Sequence, residues 1–220
     1  DHLQMADEYR FNAEQHKLLE ELMQPEYEEL FMRLTGSYQD IALGDKEAAE
    51  IMKKLPADLS EERKQVVLTA YQLLGKVNYF WGGKSLVLGW DSRWGTPTRV
   101  TAPGSRSTGT VRPYGLDCSG FVSWCAVNAA GDPAAFAAVG NGVRAQRALC
   151  APVDWADALP GDLAFYPDLS HVGIVAGRGE DGGLLVLHCS YSLGGVVCSS
   201  DAKAAGFTDL GRPSLFEKTP

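Results

Sequence analysis

Several things are missing from this chain of 220 residues. No run of about 18 apolar residues occurs, so no segment is built to cross a bilayer as a helix. Basic residues are in deficit: 20 Lys and Arg stand against 28 Asp and Glu, a net charge of −8. A nucleic-acid partner needs a basic face and is therefore not expected. The five cysteines, Cys118, Cys125, Cys150, Cys189 and Cys198, include no Cys-x-x-Cys pair, the spacing that marks structural zinc or thioredoxin-like redox chemistry. Their odd number leaves at least one thiol unpaired, and neither a metal nor a cofactor is expected. No repeat or low-complexity tract is present. The chain opens at Asp1 rather than Met, which predicts processing or excision from something longer.

What is there is an ordinary globular composition, 45% hydrophobic and 22% charged, enough for one domain or one domain plus an appendage. The charge is unevenly spread. Residues 1–64 carry 16 acidic and 8 basic side chains, whereas residues 65–220 carry 12 of each. Glycine shifts at the same place, with Gly36 and Gly44 early and the other 22 later. This predicts an acidic helical N-terminal arm, 1–62, ahead of a glycine-rich mixed domain, 63–220.

Within the arm, Leu18, Leu19, Leu22 and Met23 recur at helical spacing, Pro25 interrupts the pattern and Gly36 ends it. A short helix follows Asp45, with Ile51, Met52 and Leu55 on one side. A stronger one follows Ser60, an N-cap with Glu61 and Glu62 in its first turn and a stripe of Val66, Val67, Ala70, Leu73 and Leu74, closed by Gly75. Residues 81–116 are rich in Gly, Pro, Ser and Thr yet carry Trp81, Trp90, Trp94 and Tyr114, so a packed rather than disordered loop is predicted. Asp117–Ala130 reads as a buried helix stopped by Gly131 and Pro133. From Pro160 onward the pattern is of strands: 163–166, 172–176, 184–189 and 196–199. Helices first and an antiparallel meander afterwards define an α+β fold, with a nucleophile helix packed on an antiparallel sheet.

Three residues point to chemistry. Cys118 follows the N-cap Asp117, so it lies in the first turn of a buried helix, where the dipole and free N–H groups favour a thiolate. The negative Asp117 works in the opposite direction and must be engaged elsewhere. The bland alternative is that Cys118 is a small buried hydrophobe. His171 opens one strand and His188 closes the next. If the turn 177–183 centres on Gly179 and Glu180, His171 pairs directly with His188, with Cβ atoms about 5 Å apart. A cysteine on a helix start and two histidines on one sheet face supply nucleophile, base and orienter. The same three residues lack the short ligand spacings of a structural zinc site. Gly177, Gly179 and Gly182 match G-x-G-x-x-G, but a strand follows where a dinucleotide site needs a helix. Cys125 falls on the core side of the helix. Cys189 and Cys198 fall near one hairpin, either as two buried thiols or as a cross-strand disulfide, and His2 and His16 are expected at the surface.

Tyr79-Phe-Trp-Gly-Gly83, Leu116-Asp-Cys-Ser-Gly-Phe-Val122, Pro160-Gly-Asp-Leu-Ala-Phe165, His171-Val-Gly-Ile-Val175 and Leu187-His188 occur in the order found in NlpC-type cysteine peptidases. Over residues 63–200 the chain resembles this family of minimal papain-like enzymes acting on bacterial cell-wall stem peptides. The resemblance implies Cys118 as nucleophile, His171 as general base and His188 as the polar residue orienting it. It implies Tyr79 near the oxyanion, and Asp117 with Ser119 holding the amino-terminal side of the substrate. Trp81, Trp90 and Trp94 are taken as further substrate contacts, because the family passes from Trp-Gly-Gly to the cysteine in a much shorter span and residues 84–116 are read as a lid or groove wall. A serine-bearing stretch found in some relatives is not clear in 140–146, where Asn141, Arg144 or Gln146 are the substitutes.

The function this implies is a peptidoglycan hydrolase, an endopeptidase cutting between γ-D-glutamate and the diamino acid through a thioester. The site would lie outside a bacterial cell, in a protein secreted or anchored by a segment missing from this chain. The resemblance also implies company with conjugation or secretion machinery through the helical arm. Two other readings keep the fold: an amidase acting on a different amide, and a non-catalytic wall-binding or assembly protein.

Overall fold

The structure, a computed structural model, describes residues 6, 10–22, 24 and 43–216. The chain divides into two compact units, Asp1–Ile41 and Ala42–Pro220. In the first, helix α1 (Ala13–Leu22) is started by a reciprocal cap: Gln15 N donates to Asn12 Oδ1, and Asn12 N to Gln15 Oε1, both at 2.9 Å. None of its described side chains is buried, and Leu18 is exposed. His16 is half-buried, with its ring edge-on to Phe11. The expected continuation through Met23, the break at Pro25, the stop at Gly36 and His2 lie outside the described residues.

In the second unit, α2 (Asp45–Lys54) and α3 (Glu61–Gln72) pack together through Ile51, Met52, Leu55, Leu59, Val67 and Tyr71. Ser60 caps α3 by accepting from Arg63 N, as its sequence predicts. Helix α4 (Cys118–Ala130) is buried from Cys118 to Val127, capped by Asp117 Oδ1 accepting from Gly120 N, and ended by Gly131 at φ +64°. Two short helices follow, α5 (Ala135–Val139) and α6 (Val143–Ala148).

Strands β1 (Pro97–Arg99) and β2 (Val111–Pro113) pair with each other inside the long glycine-rich segment. The main sheet holds β3 (Cys150–Pro152), β4 (Leu163–Phe165), β5 (Val172–Arg178), β6 (Leu184–Ser190), β7 (Gly195–Ser199) and β8 (Asp209–Pro213), in the order β3-β8-β4-β5-β6-β7 and antiparallel throughout. The predicted meander is β4 to β7. The last strand goes back to the other edge of that meander, between β3 and β4, which sequence pattern did not disclose: Asp-Leu-Gly-Arg-Pro has no alternation to read. α4 packs on α3 and across β5 and β6.

One expected register is corrected. Ile174 pairs with Leu187 and Val175 with Val186, then a bulge shifts the pairing to Gly177 with Leu185. The turn spans 179–183, with Gly179 N donating to Gly183 O at 2.9 Å and Asp181 Oδ1 accepting from Gly183 N. Its centre is therefore Asp181 rather than the Gly179–Glu180 pair, and His188 lies opposite Gly173, not His171. Cys189 pairs with Val196 and Cys198 with Leu187, so the two thiols are not opposed; Cys189 is buried, Cys198 exposed, and both are free. Cys125 is fully buried.

Asp162, fully buried, joins three elements. It accepts from Arg63 Nη1 on α3 at 2.8 Å, from Arg212 Nε and Nη2 on β8 at 3.0 and 2.9 Å, and from Leu159 N at 2.9 Å. Two guanidiniums and a backbone donor compensate the buried charge.

The Trp-Gly-Gly and Asp-Cys-Ser-Gly motifs interlock. A Cβ on Gly120 would stand 2.2 Å from Gly83 O, and one on Gly83 would stand 2.2 Å from Gly115 O. Gly120→Ala must push two backbones apart and is expected to cost about 1–3 kcal/mol. Thermal unfolding checks this as a drop of roughly 2–4 °C per kcal/mol.

Candidate active site

The backbone of 78–83 lies alongside 115–117. Phe80 N donates to Leu116 O at 2.9 Å, Leu116 N to Asn78 O at 3.1 Å and Asp117 N to Gly83 O at 3.1 Å. This pairing places Tyr79 across from Leu116, two residues before Cys118. Tyr79 packs edge-on to Tyr191 at 5.3 Å, and burial, with the charges of Cys118 and Asp117, pushes its phenol well above its usual range, so it stays a donor.

Cys118 is the first residue of α4 and is buried. Burial first, and Asp117 second, push its thiol up to about 11, while hydrogen bonds from the N–H groups of Val172 and Ser119 and the charge of Lys84 pull it down. Burial therefore works against the thiolate that a helix start favours, and holds Cys118 towards the thiol at neutral pH.

His171 Nε2 and His188 Nδ1 are 2.8 Å apart, and His188 Nε2 lies 2.9 Å from Ser199 Oγ. The three side chains step diagonally across β5, β6 and β7 on one face. Gly173 makes the first step possible, since a Cβ there would stand 2.9 Å from His188 Cβ. The fully buried Phe207 ring packs 5.6 Å from one imidazole and 5.3 Å from the other, and Tyr166 closes on His171 at 4.9 Å. Burial holds both histidines down to about 4. Both are neutral at pH 7. In the tautomer that donates Nε2–H of His171 to His188 and Nε2–H of His188 to Ser199, His171 Nδ1 keeps its lone pair. Ser199, Phe207 and Tyr166 escaped sequence reasoning; only Ser199 had a signal, its diagonal offset from His188 across the 190–195 turn.

Two cavities of about 460 Å3 each meet at Trp81 and Ser170. One is lined by Tyr79, Arg106, His171 and Tyr191. The other is lined by Asp117, Cys118, Ser119, Asn141 and Arg144. Trp81 Nε1 donates to Pro103 O at 2.9 Å, so the β1–β2 loop forms a groove wall. Trp90 and Trp94, expected as substrate contacts, line neither cavity. Trp94 is buried between Trp90 and Trp124 of α4, so the pair supports the helix from behind. Gln146 is fully buried, donating to Ser119 O and Ser123 Oγ, and it holds α4 rather than facing the groove.

Asp117 and Ser119 line the same cavity as Cys118 and are hydrogen-bonded to each other. Asp117 Oδ1 accepts from Lys84 Nζ at 2.7 Å, Ser119 Oγ at 2.9 Å and Gly120 N at 2.7 Å, and Lys84 Nζ reaches Ser119 Oγ at 2.5 Å. Lys84 thus gives Asp117 an ammonium partner from within the chain. This engages the negative charge that would otherwise oppose a thiolate. Among the described residues, no group of three or more His, Cys, Asp or Glu is arranged to hold a metal ion, and no helix is long and apolar enough to cross a membrane.

No family model matches the chain. A probable endopeptidase of Corynebacterium glutamicum is 37% identical over 76 residues, 32% of this chain and 32% of that protein. The chain thus spans about a third of the length of the curated relatives it matches. Among solved structures, the peptidoglycan hydrolase RipB of Mycobacterium tuberculosis superimposes with a TM-score of 0.50 at 24% identity, over 87% of this chain and 86% of that one. RipD of the same organism, a non-catalytic NlpC/p60 domain protein adapted to peptidoglycan binding, gives a TM-score of 0.49 at 21% identity, over 70% and 98%. The α+β fold is the one RipB has, and the chain resembles the NlpC-type cell-wall cysteine peptidases.

The depressed histidines make stability pH-dependent. Between pH 6.5, the ordinary value, and about 4, the unfolded chain binds protons that the folded one refuses, so stability falls as pH falls through this window. Unfolding curves from pH 7 to 4 should show a smaller loss for His188→Gln than for the unaltered chain. An unchanged slope would refute the assignment.

Proposed function

We propose that the chain is a peptidoglycan hydrolase, a cysteine endopeptidase that cuts stem peptides between γ-D-glutamate and the diamino acid. The observation that carries this reading is the hydrogen-bonded relay His171–His188–Ser199, with His171 and Cys118 lining two cavities that meet at Trp81 and Ser170. Sγ of Cys118 attacks the γ-carbonyl carbon as its proton passes to His171 Nδ1. The imidazolium formed is stabilised through Nε2–H to the neutral His188. The backbone N–H of Cys118, in the first turn of α4, and the neutral Tyr79 hydroxyl serve the oxyanion. His171 then protonates the leaving amine, the C–N bond breaks and a thioester remains on Cys118. Water, losing a proton to His171, hydrolyses it, and that proton returns to Sγ.

In this reading Lys84 offsets Asp117 beside the nascent thiolate, and Trp81 holds the peptide where the two cavities meet. The protein acts on the outer, cell-wall side of a bacterium. The helical arm is the docking element for any conjugation or secretion partner.

Digestion of bacterial peptidoglycan, followed by mass spectrometry of soluble fragments, tests this. Fragments ending in γ-D-glutamate are expected, and Cys118→Ala should release none. Intact stem peptides would move the assignment to another amide or, if Cys118 also resists alkylation, to wall binding. His188→Ala should lose less activity than Cys118→Ala. Ser199→Ala should lower kcat about 3–10-fold, the weight of one hydrogen bond, with KM unchanged and Ser199→Thr restoring the rate.

A further inference from the structure

Residues 43–216 contain nine arginines, and seven have a partner within the chain. Arg63 and Arg212 bind Asp162, Arg93 binds Asp91 and Arg147 binds Asp209. Arg178 donates to the carbonyls of Trp155, Ala156 and Gly182, Arg99 to that of Gly109, and Arg112 to Thr110 Oγ1. The two without a hydrogen bond or ion pair among the described residues are Arg106 and Arg144. Each lines one of the two cavities that meet at Trp81 and Ser170, Arg106 on the His171 side and Arg144 on the Cys118 side.

Neither nearby carboxylate makes a hydrogen bond to Arg106 or Arg144. Asp117 is held by Lys84. Asp168 is fully exposed and feels the charge of Arg144, but it accepts from Ser170 N and Oγ at 3.0 and 2.7 Å. In a chain with a net charge of −8, the groove beside the cysteine therefore presents two guanidiniums with open donors. A guanidinium matches a carboxylate with two parallel N–H···O bonds, which a carboxamide cannot accept in the same way.

We propose that Arg106 and Arg144 are specificity residues that each receive one carboxylate of an acidic peptide, on opposite sides of the scissile amide. The assignment rests on the peptidase reading and narrows its substrate class to stem peptides whose α-carboxylates are free rather than amidated. The arginines bind and orient the chain and take no part in proton transfer.

The test measures affinity on the full chain carrying Cys118→Ala, through tryptophan fluorescence, since Trp81 lies between the cavities. The probes are four synthetic peptides containing a γ-D-glutamyl–diamino acid link: both flanking carboxylates free, each one amidated in turn, and both amidated. The free acid is expected to bind about tenfold more tightly than the double amide, the scale of a charge-assisted hydrogen bond, and less so at high salt. Arg106→Gln should become indifferent to amidation at one position and Arg144→Gln at the other, while Arg112→Gln behaves as the parent. Equal affinity for acid and amide, no binding of any peptide, or preferences undiminished in both variants would overturn the proposal. Cleavage of the same peptides by the chain with Cys118 intact reads the peptidase assignment separately: peptides bound with the expected preference but never cut sink that assignment and leave the arginines standing.

Discussion

The site depends on how closely two stretches of backbone approach each other. Residues 78–83 lie against 115–120 at a separation that no side chain at Gly83 or Gly120 would allow. This contact fixes the start of α4, and with it the position of Cys118. It brings Tyr79 and Trp81 to the same place from a segment more than thirty residues earlier. Once α4 is anchored there, its apolar surface packs across β5 and β6. The buried Asp162, held by Arg63 and Arg212, ties α3 and β8 to the start of β4, the neighbour of β5 in the sheet.

Electrostatically the site is built to rest neutral. Phe207 and Tyr166 exclude water from two imidazoles, and burial keeps the thiol protonated. In the proposed reaction charge would appear only when a proton moves from sulfur to nitrogen, beside hydrogen bonds that His171 and His188 already make. Such preorganisation reduces reorganisation during the reaction, and it weakens the fold towards acid because each histidine must eventually be protonated against its surroundings. Lys84 is the counterpart on the acidic side: paired with the N-cap carboxylate, it offsets part of the opposition that Asp117 still offers a thiolate.

Much of this was legible before any coordinates. Asp117, Gly131 and an unbroken apolar stretch define α4, and Ser60 with its glutamates defines the start of α3, because capping chemistry is local. Cys118, His171 and His188 stand out because few residue types supply a nucleophile and a base. Other features depend on distances along the chain that no local pattern encodes. The register of β5 with β6 turns on a five-residue loop and a bulge, so His171 meets His188 diagonally over Gly173. Ser199 is one serine among many until the sheet sets it beside His188. The aromatics of 81–116 correctly announced an ordered segment, yet Trp94 packs behind α4 while the cationic Arg106 faces the groove. Lys84 could not be paired with Asp117 by spacing alone, since 33 residues separate them.

The claim on which the account rests is that Cys118 forms a covalent acyl intermediate. The direct measurement is the intact mass of the protein after acid quenching in the first moments of reaction with a γ-D-glutamyl stem peptide. A mass increment equal to the acyl fragment is expected, carried by the peptide containing Cys118 and absent from Cys118→Ala. Turnover of the peptide with Cys118 unmodified throughout, or with activity surviving in Cys118→Ala, would contradict it.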